Sequence, residues 1–203
     1  MTQTETKRAA FESRRPDQIL RMNHGPQLIY LLATGGTMEK VYSEQTGFVV
    51  NHEAKIDRYL ARLRLPETEI RVTHLMNKDS LDMTAADRQL VLRAVEERLG
   101  DAAPIVISHG TDTMVETGLY LEARLPPLQA SIILTGAMTP LGFEGTDGLQ
   151  NLTESLLAAR LLPPGVYVVM HNEIFPVSGV RKDRELGRFI ACLPAAGRHQ
   201  TPI

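Results

Sequence analysis

A single-domain α/β fold of three layers, with a mostly parallel, doubly wound sheet of Rossmann-like or flavodoxin-like build, is predicted by two features of the chain. Residues 28–33, 104–107, 131–134 and 166–170 are short, nearly uninterrupted apolar runs, the pattern of parallel strands covered on both faces. Stretches of helical period separate them, so strand and helix alternate along the chain. In such sheets ligands bind at the carboxyl ends of the strands, which is where the polar Gly/Thr/Ser/Asp strings of this sequence fall.

Taken in order, the polar residues 1–25 read as a flexible arm ahead of one domain over 26–203. The first apolar run is followed by Gly35-Gly36 and by residues 38–50, a connection long enough to be a binding loop or lid. Residues 53–63 carry Ile56, Leu60 and Leu63 on one helical face, and residues 70–75 alternate as a strand. Thr84 is placed to cap a helix, with Asp87 in the position of a capping-box acid. Behind it Val91, Leu92, Val95 and Leu99 form an apolar face, and Gly100 supplies a stop. Asp112 or Thr113 can cap a helix reaching Arg124, and Asp147 one over residues 148–162. Pro163-Pro164-Gly165 ends that helix before the last core strand.

Composition narrows the function. The 203 residues are 43% hydrophobic, enough for one sizeable core. A formal charge of -2 argues against a nucleic-acid surface or a basic membrane patch. The lone Cys192 has no companion for a disulfide or a metal and reads as a small buried hydrophobe. His24, His52, His74, His109, His171 and His199 are scattered without metal-ligand spacing, so no metal or organic cofactor is expected. No run of 18 apolar residues exists, and residues 1–23 lack the apolar core of a secretory signal. A cytoplasmic protein is the resulting expectation.

Two strings carry the chemistry. Thr34-Gly35-Gly36-Thr37 and His109-Gly110-Thr111-Asp112-Thr113 each put a threonine hydroxyl on a glycine-loosened loop directly after an apolar strand. A threonine hydroxyl attacks an amide only with a nearby base and with donors aimed at the oxyanion that forms. Glycines beside it let backbone N–H groups come close. Asp112 reads equally as a helix cap or as an anion for a ligand's ammonium group. Ser80 reads as a turn residue or a carboxylate donor, and His109 as a satisfied strand-end histidine. A phosphate-binding reading of Gly35-Gly36 fails for want of a G-x-G-x-x-G or a Walker lysine.

A third string, Lys78-Asp79-Ser80-Leu81-Asp82-Met83-Thr84, completes a pattern. With Thr135-Gly136-Ala137-Met138-x-Pro140, Asp147-Gly148, Asn151-Leu152 and residues 165–170, the chain resembles the bacterial-type L-asparaginase family over about residues 28–189. It is most similar to small members that consist of the amino-terminal domain alone. The resemblance implies Thr37 as the nucleophile that forms an acyl-enzyme and Thr111 as a second essential threonine. It implies Asp112 as the grip on the substrate's α-ammonium group and Ser80 as the grip on its α-carboxylate. Gly36 and Leu81 fall among the substrate-contacting positions, and Tyr42 is the one tyrosine in residues 38–50 available as a loop hydroxyl, with Phe48 as runner-up by position.

Three positions depart from the family pattern. The lysine expected beside the second threonine, six residues before the glycine of the T-G-A-M string, is matched by Ala130, and no lysine lies between Lys78 and Lys182. Lys40 is the candidate replacement. An arginine is replaced by Thr139, and a glutamine by Leu81. The expectation is therefore an asparaginase-like amidohydrolase of L-asparagine or a similar small amide, weakened at Ala130. The alternative is a non-catalytic relative that binds an amino acid or a protein partner. Without a second domain the site would lie open or be completed in a homodimer or higher homo-oligomer.

Overall fold

The computed structural model describes residues 27–45, 47, 49–51 and 56–192. The expected arm over residues 1–25, Phe48, His24, His52 and His199 lie outside them. Five parallel strands and one antiparallel edge strand form the main sheet. They are β1 (Gln27–Gly35), β4 (Thr68–Lys78), β5 (Ile105–Ser108), β6 (Ser131–Thr135), β7 (Gly165–Met170) and β8 (Glu173–Pro176), in the order β4-β1-β5-β6-β7-β8. Counting only the parallel strands, this is the flavodoxin-like order 2-1-3-4-5, whose direction reverses between β1 and β5.

Side-chain alternation explains why the sheet is covered twice. Tyr30 and Leu32 of β1, Ile105 and Ile107 of β5, and Ile132 and Leu134 of β6 face one core. That core is closed by Val91, Leu92 and Val95 of α2 (Ala85–Glu96) and by Met114 and Leu121 of α3 (Met114–Glu122). Ile29, Leu31, Val106 and Ile133 face the other, closed by Ile56 of α1 (Ile56–Leu60) and by Leu152 and Leu156 of α4 (Gly148–Leu161). These three strands are buried on both faces, so their sequences read as unbroken apolar runs.

The connections have a consequence for the site. β4–α2–β5 and β5–α3–β6 step the same way with their helices on one face, and β1–α1–β4 steps the opposite way with its helix on the opposite face. These three crossovers therefore share a hand. β6–α4–β7 steps with the second pair but carries its helix on the other face, so its hand is opposite. Given the strong preference for right-handed crossovers, this one is the left-handed exception. It brings the start of α4 against the loop that follows β6: Asn151 Nδ2 donates to Gly136 O at 3.0 Å.

Several local expectations meet the structure directly. Thr84 caps α2 in a reciprocal capping box with Asp87. Helix α2 is closed by a 3-10 turn, Leu99–Asp101, with Ala102 rather than Gly100 in the left-handed conformation at φ 50. Of the helix expected over 53–63, residues 53–55 lie outside the described residues and Ile56–Leu60 are helical. Neither Asp112, Thr113 nor Asp147 caps through its side chain. Thr113 Oγ1 donates to Ser80 O at 2.8 Å, while Asp147 accepts from the Met138 and Thr139 N–H groups at 2.9–3.0 Å. These side chains face loops that sequence spacing does not reveal, and they tie those loops together.

The connection over 38–50 is more structured than expected. It contains a 3-10 turn, Thr37–Glu39, and a two-stranded ribbon of β2 (Lys40–Tyr42) and β3 (Val49–Asn51). After β7 the chain reverses through His171 and Asn172, both at positive φ (53 and 62), the signature of a two-residue type I′ hairpin turn into β8. Helix α4 holds this turn: His171 N donates to Asn151 Oδ1 at 2.9 Å and Asn172 N to Glu154 Oε2 at 2.7 Å. A last hairpin, β9 (Val180–Asp183) with β10 (Arg188–Ala191), packs against α3. Cys192, expected to be buried, is exposed, because it follows β10 at the rim of this hairpin and outside both cores. Among the described residues no helix is long and apolar enough to cross a membrane.

Candidate active site

The two threonine strings leave the sheet at β1 and β5, the neighbouring strands between which the order reverses, so both loops border the crevice this topology creates. Glycines let them touch. Gly36, at φ 77 and ψ -168, has a backbone shape essentially reserved for glycine. A Cβ there would lie 2.5 Å from both the N and the Cα of Gly110. A Cβ on Gly110 would in turn lie 2.5 Å from Ser80 Oγ. Residues 74 and 30 apart in sequence are thus pressed together, and Thr34 Oγ1 adds a 2.9 Å bond to Ser108 O.

Gly36 serves this approach rather than a ligand through its own N–H. That N–H donates to Lys78 O at 2.8 Å, and its carbonyl accepts from Glu39 N. Thr37 follows, half-buried. Ser80 is 1% exposed, and its Oγ has no hydrogen-bond partner among the described residues. A buried hydroxyl in that condition costs about 1–3 kcal/mol unless something satisfies it.

His109 is the satisfied strand-end histidine expected. Its ring is 0% exposed, with Nδ1 2.8 Å from Gly110 O and Nε2 2.8 Å from Thr117 Oγ1. A carbonyl only accepts, so Nδ1 carries the proton and Nε2 accepts from the threonine hydroxyl. Burial pushes the imidazole down to about 4, which keeps it neutral. It braces the loop that presents Thr111.

The lysine beside Thr111 comes from another part of the chain than expected. Ala130 precedes β6 at the amino edge of the sheet, where it lines a depression with Gln27, Leu28 and Asp101. The five-residue length of β6 separates it by roughly 17 Å from the carboxyl edge. A residue in that position does not reach Thr111 whatever its side chain. Lys182, from β9, does: its Nζ donates to Thr111 Oγ1 at 2.7 Å and lies 3.1 Å from Asp112 Oδ1. Lys40, the expected replacement, is elsewhere engaged. It pairs with Asp79 Oδ2 at 2.6 Å, and this bond, with Leu81 N–H and the nearby Lys182 charge, holds the Asp79 carboxyl below its usual range.

Asp112 also receives Arg184 Nη2 at 2.9 Å on the same Oδ1. Tyr42, at the end of β2, is 58% exposed, and Leu81, next to Ser80, is 64% exposed. The structure therefore brings Gly36, Ser80, Thr111 and Asp112 into one contact network, with Thr37 attached through Gly36. Tyr42 and Leu81 are left as exposed side chains. Lys182 and Arg184 were missed by sequence reasoning. The available signals were the charged run Arg181-Lys182-Asp183-Arg184 after Gly179 and the fact that Lys182 is the last lysine of the chain.

Behind the site, Asp147 accepts from Met138 N, Thr139 N, Asn151 Nδ2 and His171 Nε2. Burial alone would raise its carboxyl, but the two N–H groups and His171 outweigh it and hold it below the usual carboxylate range. The loop after β6 is thereby clamped to α4. Gly136 in that loop has no room for a side chain, since a Cβ would lie 2.3 Å from His109 O. Among the described residues no group of three or more His, Cys, Asp or Glu is placed to hold a metal ion.

Comparison with known proteins agrees with this architecture. The family model described as asparaginase, N-terminal, matches residues 28–188. The chain belongs to the asparaginase family. It is 33% identical over 162 residues to an L-asparaginase of Thermococcus kodakarensis, covering 78% of this chain and 48% of that protein. The solved structure of the thermostable L-asparaginase from that organism superposes with a TM-score of 0.72 over 81% of this chain and 51% of its own, at 31% identity. L-asparaginase 1 of Escherichia coli K12 is 36% identical over 151 residues, covering 71% of this chain and 44% of that protein. Relatives of another kind also match. A glutamyl-tRNA(Gln) amidotransferase component of Methanococcus vannielii is 33% identical over 162 residues, covering 76% of this chain and 37% of that protein. This asparaginase-family chain spans about half or less of the length of these curated relatives.

Proposed function

We propose that this asparaginase-family chain is an amidohydrolase that releases ammonia from the side-chain amide of L-asparagine or a similar small amide. Thr37 Oγ attacks the amide carbon and gives a tetrahedral oxyanion. Its collapse expels ammonia and leaves an ester on Thr37, which water then hydrolyses to L-aspartate and free enzyme. Thr111 and Lys182 form the proton-handling pair. In its neutral form the Lys182 amine, in hydrogen-bond contact with the Thr111 hydroxyl, takes up the proton shed during attack and returns it to the leaving nitrogen. Asp112 holds the substrate's α-ammonium group. Ser80, a buried hydroxyl without a partner among the described residues, hydrogen-bonds the α-carboxylate. Tyr42 lies on the ribbon that follows Thr37 and supplies a hydroxyl over the nucleophile when that ribbon closes. Leu81, beside Ser80, carries an exposed apolar side chain where the family pattern has a polar one, which relaxes selectivity.

The observation that carries this reading is the 2.7 Å contact of Lys182 Nζ with Thr111 Oγ1. It supports a complete lysine–threonine–aspartate set, and the purely binding alternative, which rested on Ala130, loses its motive. Ammonia release from L-asparagine and L-glutamine by the parent chain and its Thr37→Ala, Lys182→Ala and Ala130→Lys variants tests it. Turnover by the parent is expected, with losses of roughly 10³-fold or more in Thr37→Ala and Lys182→Ala, by analogy with removal of triad members in other hydrolases. Ala130→Lys is expected to match the parent. A parent that releases no ammonia, or a Thr37→Ala variant as active as the parent, refutes the assignment.

A further inference from the structure

Asp112 carries more positive charge than one carboxylate oxygen ordinarily shares. Lys182 Nζ lies 3.1 Å and Arg184 Nη2 2.9 Å from the same Oδ1. The two cations are not equivalent. Lys182, 17% exposed, is fixed by its second bond to Thr111. Arg184, 68% exposed, has this one ion pair among the described residues. It stands on the turn between β9 and β10, which Asp183 Oδ1 closes by accepting from the Glu185 and Leu186 N–H groups.

If Asp112 grips an α-ammonium group, as the functional reading above requires, that ammonium arrives at a carboxylate already compensated twice. Three cations around one carboxylate repel one another, so one must leave. Lys182 is part-buried and doubly bonded, whereas the Arg184 guanidinium returns to water with little loss because most of it is already solvated. We propose that Arg184 occupies the ammonium position of the empty site and is displaced by the ligand's α-ammonium group. It thereby sets the affinity by lowering it for ligands whose own cation must replace the guanidinium. The ligand class is an α-amino acid with an anionic or amide side chain, in preference to a dicarboxylate without an amino group. An exposed ion pair is a weak competitor, which suits a contact that must yield on every binding event.

The test rests on binding and not on turnover. Dissociation constants for L-aspartate and for succinate, which lacks the ammonium, are measured by calorimetry on the parent chain and on Arg184→Ala, Arg184→Lys and Asp112→Ala. Loss of a cation near a ligand of net negative charge weakens binding on bulk electrostatics alone, so tightening is diagnostic. Arg184→Ala is expected to bind L-aspartate about two- to fivefold more tightly, the range of an exposed ion pair. Succinate is expected to bind it no more tightly than the parent, and Arg184→Lys is expected to stay near the parent for both ligands. Unchanged or weaker L-aspartate binding in Arg184→Ala, or equal tightening for succinate, overturns the displacement proposal while leaving the site assignment standing. A parent that does not bind L-aspartate, or an Asp112→Ala variant that binds it as well as the parent, overturns the ammonium grip and the displacement with it.

Discussion

Acid should destabilise this fold through one histidine before it protonates the carboxylates. His109 is fully buried and neutral, with its imidazole lowered to about 4 from an ordinary 6.5. Between those two values the unfolded chain binds a proton at this position that the folded chain does not, so stability falls as pH drops through the window. At about 1.36 kcal/mol per pH unit, the loss is about 2 kcal/mol at pH 5 and about 3 kcal/mol once pH passes below 4. Above pH 6.5 the term vanishes. The assay is urea unfolding from pH 7.5 to 4.5 on the parent and on His109→Gln, which removes the titrating ring. Its complement is an NMR titration of histidine Cε1–H signals. The parent curve should decline through the window and the variant's should be flatter there by about 2 kcal/mol at pH 5. The functional corollary is loss of the site with the fold, because burial penalises the charged ring and protonation drives it out of the core together with the loop that presents Thr111. A His109 signal titrating near 6.5, or identical pH slopes in parent and variant, would refute the reasoning.

Two further substitutions probe the frame of the site. Gly36→Ala should cost about 3 kcal/mol or more and disrupt the β1 and β5 loops together, because alanine would meet both the strain of φ 77 and the Gly110 backbone at 2.5 Å; differential scanning calorimetry reads it, and an unchanged melting temperature would contradict the stacking. Thr84→Ala removes the hydroxyl of the capping box on α2 and should lower stability by about 1 kcal/mol without altering ammonia release, as chemical denaturation alongside the activity assay will show.

The strands β1, β5, β6 and β7 were legible because burial on both faces demands apolar residues at every position, a local signature. The capping box at Thr84 and Asp87 was legible for the same reason, since its partners are three residues apart. The small elements were not. The β2–β3 ribbon and the β9–β10 hairpin are short, and their sequences carry no strong alternation. Asp147 and Thr113 look like helix caps in sequence because they stand where caps stand, yet each spends its hydrogen bonds on a loop brought near by folding.

The candidate site divides in the same way. By itself the sequence determined the doubly wound fold, the carboxyl-edge location of the polar strings, and the family pattern that singled out Thr37, Ser80, Thr111 and Asp112, because all of these are written in runs a few residues long. Only the tertiary structure decided which cation stands beside Thr111. Ala130 lies six residues before Gly136, but a strand converts sequence separation into distance along its axis, and those residues end at opposite edges of the sheet. Lys182 lies 71 residues from Thr111 and meets it because the β7–β8 turn and the β9–β10 hairpin fold the chain back over α3. No local pattern encodes a contact made by two returns of the chain, and the charge balance at Asp112 follows from the Lys182 and Arg184 side chains that the same returns bring to it.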